Sequence, residues 1–582
     1  MKTAKILHKL TRKALLTLLA LLLVAIMVPT TAFAESQVMV CSINGLGFST
    51  LTEAFEQVKD GETIVLLADI NHDSGIDISD KSITINLDGH ILNVTVWSGT
   101  ALHVSNGELA LSDFTGGGEL NLLSDPQYSA AQYGAHAQGN ANITVTNVIG
   151  FERGTYADGD GASVTVQENV TAYENCAIAV NGSRISINEN ASSWGVSVIA
   201  EQASQVSIGC NLQNTIGEAV RASTGSSVSI GDNLFAGNAG TCVSATEGSQ
   251  VLVGEDLVAC APPQVGGFIA PAATAPGIGI YASDSAVKIG NYLRCDNMAI
   301  VAYGSSMVMV GESVYAGGLA ISTHTAEVMI GADIICTSGV QASDHSKIYV
   351  GGSIDASFDA VLVIGTNAMV NVGGDLSSAN TGIHLTETAH YSTVTVAGAF
   401  TIPEGRAFIR LIDTEMSRSD YTTSIKTSYW QYSAESNTVW VKMTAAEELE
   451  FSRDQKTAAL RALLADYSEA LYTAQSWQAW QVAASATQAA IDSATTIDEL
   501  AAIELPDAES ILVRKPSVGA PGSGDLYATG QVSQETATLI ARYICGSELV
   551  LTDDQFAAVD MDFDGFLTMV DVMLIMRRAM GL

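Results

Sequence analysis

A chain of 582 residues with 62 acidic and 26 basic side chains carries a net charge of −36. Such a balance repels polyanions and excludes nucleic acid and anionic lipid surfaces as electrostatic partners. The chain is also too long for one ordinary hydrophobic core, so it needs several domains or a fold that grows along one axis.

In chain order, the first element expected is a secretory signal over residues 1–34. Lys2, Lys5, Lys9, Arg12 and Lys13 make a basic region, residues 14–28 an apolar core, and Ala32-Phe33-Ala34 a small-residue cleavage pattern. Cleavage leaves the chain from Glu35 onward and, with five cations and no anions lost, a net charge of −36 − 5 = −41. No second apolar run is long enough to span a bilayer. The mature chain is therefore expected outside the cell, released or held at a surface through another protein. Ser49 to Val58 has helical spacing, with Ser49 or Thr52 as N-cap and Asp60-Gly61 as the stop; it is expected to cap an open sheet end at about 49–60. Short strands follow at 63–67 and 83–87.

A repeat then dominates the sequence. Strand cores begin at Val164, Ile185, Val206, Val228, Val251, Val287, Val308, Val328, Ile348, Val370 and Val394, nearly evenly spaced except for the wide step from Val251 to Val287. A sustained period of roughly 20 residues predicts a solenoid. Each unit carries an inward-outward-inward-Gly stretch, as in Val206-Ser207-Ile208-Gly209. A second strand centres on Leu212, Leu234, Leu257, Leu293, Val314, Ile334, Ile354 or Leu376, and a third is typified by Ala299-Ile300-Val301-Ala302. Glycines at 209, 231, 254, 290, 311, 331, 351 and 373 mark one corner, where the expectation is a positive φ; Asn188 stands there one coil earlier. The wide step holds a Pro/Gly insertion at about 262–277, and the far end is expected to close near Trp440. Three short strands in every such unit resemble the right-handed parallel β-helix of the pectin-lyase-like proteins. The expected fold class is thus mainly β: a right-handed parallel β-helix over 35–445, then a small helical segment and an α-helical EF-hand-like module.

The outward positions of the rod change character along it. Early coils show Thr165, Ser186, Ser207 and Ser229, which is ordinary solvated strand, whereas the middle coils show Leu252, Lys288, Met309, Met329 and Tyr349. A second row runs Phe235, Val258, Arg294, Tyr315, Ile335. Exposed apolar rows mark contact, with the chain's own insertion or helices, or with a ligand; Phe235, Leu252, Arg294, Met309, Tyr315, Met329 and Tyr349 form the candidate ligand face. No catalytic constellation is evident: Asp158-Gly-Asp160 and Asp344-His345 read as solvated turns, and the catalytic residues, if any, are unknown. Cys260, Cys295 and Cys336 fall at nearly the coil position where neighbours carry Ala236, Ala316 and Ala356, which reads as small buried thiols.

From 446 to 505 the period becomes helical, through Leu460, Leu463, Leu464, Tyr467 and Leu471 to Trp477, Trp480 and Leu500. Tyr472-Thr473-Ala474-Gln475-Ser476-Trp477 resembles the helix-joining motif of FIVAR-type three-helix modules, which implies a spacer with Thr473 as cap of its second helix. A linker over 506–524, rich in Pro, Gly and Ser near its end, precedes the last domain, 525–582.

That domain contains Asp560-Met-Asp562-Phe-Asp564-Gly565-Phe566-Leu-Thr568-Met-Val-Asp571 ahead of an apolar helix. Oxygen-bearing residues at loop positions 1, 3, 5, 9 and 12, with Gly at 6, match the EF-hand calcium loop. Asp560, Asp562, Asp564 and Asp571 would give carboxylates, Phe566 its carbonyl, and Thr568 a water-mediated contact. Upstream lies a decayed copy, with Asp525, Tyr527, Thr529, Gly530, Ser533 and Thr536 at the matching places. Its single acid should bind calcium weakly or not at all. Paired loop-helix units at this spacing resemble a dockerin. The resemblance implies Ca²⁺-dependent folding and docking to a cohesin module of a scaffoldin, with Met569, Val570 and Arg577 facing the cohesin and Gln534, Glu535 and Arg542 as the pseudo-symmetric set. Together these features lead to the expectation of a secreted component of a cellulosome-like assembly whose β-helix binds or displays polysaccharide. A β-helix lyase or glycoside hydrolase carried by the same module, and a structural surface adhesin, are the alternatives.

Overall fold

The computed structural model describes residues 38–124, 130–237, 240–259, 277–422, 424–514 and 519–582. The signal segment, Cys260, residues 262–276 of the insertion and residues 515–518 of the linker lie outside them. Two compact units emerge: one runs to Ile425 and includes Gln431–Val441, the other comprises Lys426–Trp430 and Lys442–Leu582.

The first unit is a parallel β-solenoid of about 15 turns. Every step of the sequence repeat is a real register: Val164 pairs with Ile185, Ile185 with Val206, and so on to Val370 with Val394. The column continues backwards through Ile143, Leu109 and Ile83, and forwards to Val439. Those early coils escape a fixed-period search because longer strands, Ile91–Val96, Ser98–Ser105 and Ala130–Gln138 among them, widen the steps from Ile83 to Leu109 and from Leu109 to Ile143. Inward residues of the second column, such as Leu212, Leu234, Leu257 and Leu293, are fully buried and stacked in register. Each such side chain contributes about 1.5–3 kcal/mol by leaving water. The second and third columns merge where long strands, Asn147–Asp158 and Val170–Val180 among them, run through the corner between them.

The glycine corner has a different cause from the one expected. Positive φ belongs to another turn, the one before each first strand, at Asn181, Thr224, Glu247, Asp284 and His345. The corner glycines are required by close approach instead. A Cβ on Gly254 would strike the Gly231 carbonyl oxygen, and one on Gly290 the Gly254 oxygen, coil upon coil. Gly209, the first glycine of the row, clears the Asn188 carbonyl in the same way.

A side-chain ladder at the next corner is invisible to apolar periodicity. Asn93 donates to Asn71 (2.9 Å), Asn121 to Asn93 (3.2 Å) and Asn147 to Asn121 (3.1 Å). Asn190, Asn211 and Asn233 continue it, each Nδ2 reaching the preceding Oδ1 at 3.1–3.2 Å. Buried serines line the turn before the first column, so that Ser204 N donates to Ser226 Oγ and Ser285 N to Ser306 Oγ, both at 3.2 Å. These ladders satisfy backbone groups that the narrow coil would otherwise bury unpaired.

The opening helix is Leu51–Gln57, and its N-cap is Thr50, which accepts from Glu53 N, rather than Ser49 or Thr52. Ser49 instead donates to Glu53 Oε2 at 3.0 Å. At the far end, strand Asn437–Lys442 carries Trp440, as expected, and Phe400, Phe408 and Tyr432 stack over the last turns. In the cysteine column, Ala259 rather than Cys260 pairs with Cys295. Cys295 and Cys336 are buried free thiols, and burial pushes the Cys336 thiol up to about 12.

The second unit holds helices Ala445–Ala465, Ala474–Ser493, Ile497–Ala502, Ala508–Ile511, Gln534–Ile544, Asp553–Val559 and Met569–Ala579. Thr444 and Glu447 form a capping box at its start, and Thr473 caps Ala474–Ser493 by accepting from Ser476 N at 3.3 Å. Leu460, Ile491 and Leu500 build one core. A second core joins Leu471 and Tyr472 of the helical segment to Leu526, Ile540, Val559, Val572 and Ile575 of the C-terminal segment. Among the described residues, no helix is long and apolar enough to cross a membrane.

Candidate metal centre and docking face

The two C-terminal loops share a backbone and differ in their chemistry. Ala528 (φ 52) and Phe563 (φ 63) take the same left-handed conformation at matching places, as do Gly530 (φ 77) and Gly565 (φ 83). Each loop runs into a helix capped by a hydroxyl: Ser533 accepts from Thr536 N, and Thr568 from Val570 N.

In the second loop, oxygens of Asp560, Asp562 and Asp564 lie within 4.8 Å of one another. Asp560 is 7 % exposed; its Oδ2 accepts from Gly565 N at 3.1 Å, while its Oδ1 is buried without a partner. A buried carboxylate oxygen left unpaired costs several kcal/mol unless a cation or donor meets it. Partial desolvation and the facing charges of Asp571, Asp564 and Asp560 push the Asp562 carboxyl above its usual range, with a hydrogen bond from Asp564 N opposing them. Asp571 is completely buried but stands beside this trio rather than in it. Its Oδ1 accepts from Met561 N (2.7 Å) and its Oδ2 from Thr568 N (2.9 Å), closing a capping box on the terminal helix. Three hard oxygen donors around an unneutralised pocket suit a divalent cation of the Ca²⁺ type, and Asp571 shapes the loop around them. Phe566 donates its N–H to Asp564 Oδ1 at 2.8 Å.

The first loop neutralises its acid internally. Asp525 Oδ1 accepts from Thr529 N (3.0 Å) and Thr529 Oγ1 (3.1 Å), and Oδ2 accepts from Gly530 N (2.6 Å). Burial alone would raise the Asp525 carboxyl, but these donors outweigh it and hold the group below its usual range. Tyr527, where the second loop has Asp562, packs against the shared core, and burial pushes its phenol up. Ser533 serves as helix cap.

The residues assigned to docking all lie on the two loop-following helices: Gln534, Glu535 and Arg542 on the first, Met569, Val570 and Arg577 on the second. All six are exposed. The sequence reading missed Met573, 58 % exposed, and Met580, also exposed. Their spacing of four and eleven from Met569 puts them on the same helical face, and that period was the available signal.

On the rod, both predicted outward rows exist. Ser229, Leu252, Lys288, Met309, Met329 and Tyr349 are successive partners, as are Phe235, Val258, Arg294, Tyr315 and Ile335. Phe235, Leu252, Met309 and Tyr315 are exposed, and Tyr292 meets Tyr315 edge-on at 6.2 Å. Asp158 ends strand Asn147–Asp158 rather than lying in a turn and accepts from Asn181 Nδ2 (2.6 Å), whereas Asp344 is a turn group that accepts from Thr366 N (2.8 Å). Compared with known proteins, the chain matches no family model, no curated protein and no solved structure.

Proposed function

We propose that this chain is a secreted component of a dockerin–cohesin assembly, in which the C-terminal module docks in a Ca²⁺-dependent way and the β-solenoid binds or displays polysaccharide. One observation carries the reading: the Asp560, Asp562 and Asp564 oxygens converge with Asp560 Oδ1 buried and unpartnered. Asp560, Asp562 and Asp564 would hold the ion, with Phe566 O, Thr568 and Asp571 completing the loop. The bound charge would let three like carboxylates share one small volume, and so couples metal binding to folding of the loop. The exposed Met569, Val570, Met573 and Arg577 supply an apolar contact with one cationic end, and the first helix presents Gln534, Glu535, Thr538 and Arg542 at its counterpart. A face of Met and Val favours a cohesin with an apolar groove.

Calorimetry on the mature chain tests this. Ca²⁺ should bind with a stoichiometry of one, EDTA should abolish binding to a cohesin panel, and the solenoid's β-type circular dichroism should persist. Absence of binding heat sinks the proposal. A second reading, a catalytic solenoid delivered by the same module, predicts reducing-end or unsaturated product from plant polysaccharides.

A further inference from the structure

The outward row of the third strand column departs from solvated strand in the early coils. Asp77, His103, His136 and Tyr156 are successive partners along the axis. Their rings form one cluster with Tyr133: His103 to His136 is 4.8 Å between centroids, His136 to Tyr156 4.9 Å, and Tyr133 lies 5.2 Å from each of His136 and Tyr156. Arg153 closes one side, donating from Nη1 to Tyr133 Oη at 2.8 Å. One coil on, strand Val170–Val180 pairs with Asn147–Asp158 and carries the exposed Tyr173. Trp194 N then donates to Tyr173 O (3.1 Å), and Ile216 N to Trp194 O (3.0 Å). Trp194 is 61 % exposed and Ile216 is also exposed.

Exposed tryptophan and tyrosine at adjacent coils cost hydration free energy that a solvated strand of Ser and Thr would avoid. Flat rings with polar edges, repeated at the coil spacing of roughly 4.8 Å, offer stacking and hydrogen bonds to a long ligand lying along the axis. Local charge narrows its class. Glu152 lies 4.0 Å from Arg153, Asp77 Oδ2 lies 3.5 Å from His103 Nδ1, and Asp158 is bound by Asn181. Burial and the neighbouring His103 push His136 down to about 4, so this ring is uncharged at neutral pH. Among the described residues, this cluster offers a polyanion no unpaired cation, and the chain's charge of −36 opposes one.

We infer that this face, built on Tyr133, His136, Arg153, Tyr156, Tyr173 and Trp194, is a binding site for an uncharged polysaccharide chain. It rests on the reading of the solenoid as a carbohydrate-binding module, but places the site away from the Phe235 and Leu252 rows. Affinity electrophoresis of the mature chain through xylan, galactomannan and mixed-linkage β-glucan, with polygalacturonate as the anionic comparison, tests it. At least one uncharged polymer should retard the protein. Trp194→Ala and Tyr156→Ala should weaken that retardation about tenfold or more, while Tyr391→Ala, at an exposed ring outside both faces, leaves it unchanged. Trp194 sits in a bend, so its variant keeps the test decisive should Tyr156→Ala misfold. Unchanged retardation of Trp194→Ala, or retention by polygalacturonate alone, overturns the inference. Loss confined to Tyr315→Ala and Tyr349→Ala removes this site and leaves the module reading intact; no retention by any polymer defeats both.

Discussion

The two C-terminal loops solve one electrostatic problem in opposite ways. Asp525 is neutralised by Thr529 and Gly530 of its own loop, so the first loop is complete as a polypeptide. Asp560 has Gly565 on one oxygen and nothing on the other, and Asp562 and Asp564 add charge rather than removing it. The same backbone trace thus forms a self-closed turn in one copy and, in the proposed reading, a cation cradle in the other. Duplication preserves conformation, through the left-handed positions at 528/563 and 530/565, while side-chain substitution decides whether the carboxylates are met by donors of their own loop. Tyr527 shows what the first loop gained: a ring anchored in the core shared with Leu471 and Tyr472.

The largest effect should come from removing that common support. Tyr472→Ala empties part of the joint core, and denaturant melts of the second unit should lose about 3–5 kcal/mol. A loss confined to the helical segment, with the loop-bearing helices still melting at their original midpoint, would show that the loops stand without it. Next is the cradle. Asp560→Asn should abolish Ca²⁺ binding heat and with it the stabilisation of about 2.7 kcal/mol expected at a hundredfold excess over Kd. Residual stoichiometric binding would mean that the first loop is a metal site after all.

Asp525→Asn should cost about 1–3 kcal/mol, because charge-assisted bonds to Thr529 and Gly530 weaken, yet leave Ca²⁺ stoichiometry at one. The pH dependence carries the same sign. A carboxyl held below its unfolded value contributes fully above about pH 4, and that contribution is lost as pH falls through the lowered folded value. Acid melts of wild type and Asp525→Asn should therefore converge below that range. Smallest of all, Met573→Ser should leave melting within about 0.5 kcal/mol and reduce only cohesin capture.

Much of this architecture is legible from local pattern. Val206, Val228 and Val251 stack because alternation and a near-constant period define both which residues point inward and which coil they meet. The coils at Ile83, Leu109 and Ile143 are harder to read, since longer strands break the period without breaking the register. The glycine corner is visible in the sequence, but its cause is not. Recurrence marks the position, whereas the reason, a neighbouring carbonyl in the space of a Cβ, exists only once coils are stacked. In the calcium-type loop the spacing identifies the carboxylates, yet Asp571 is tied to Met561 and Thr568 beside the trio.

Sequence by itself determined the repeat, the inward and outward faces, the duplicated loops and the acidic trio, because each depends on short-range spacing that a linear chain records. Tertiary structure alone decided which distant outward residues meet. His103, His136 and Tyr156 are well separated along the chain and carry no common motif, and only the parallel register of successive coils brings their rings together. The same holds for the core that joins Tyr472 to Ile575: helical period marks each as apolar, but packing between segments remote in sequence selects the partner.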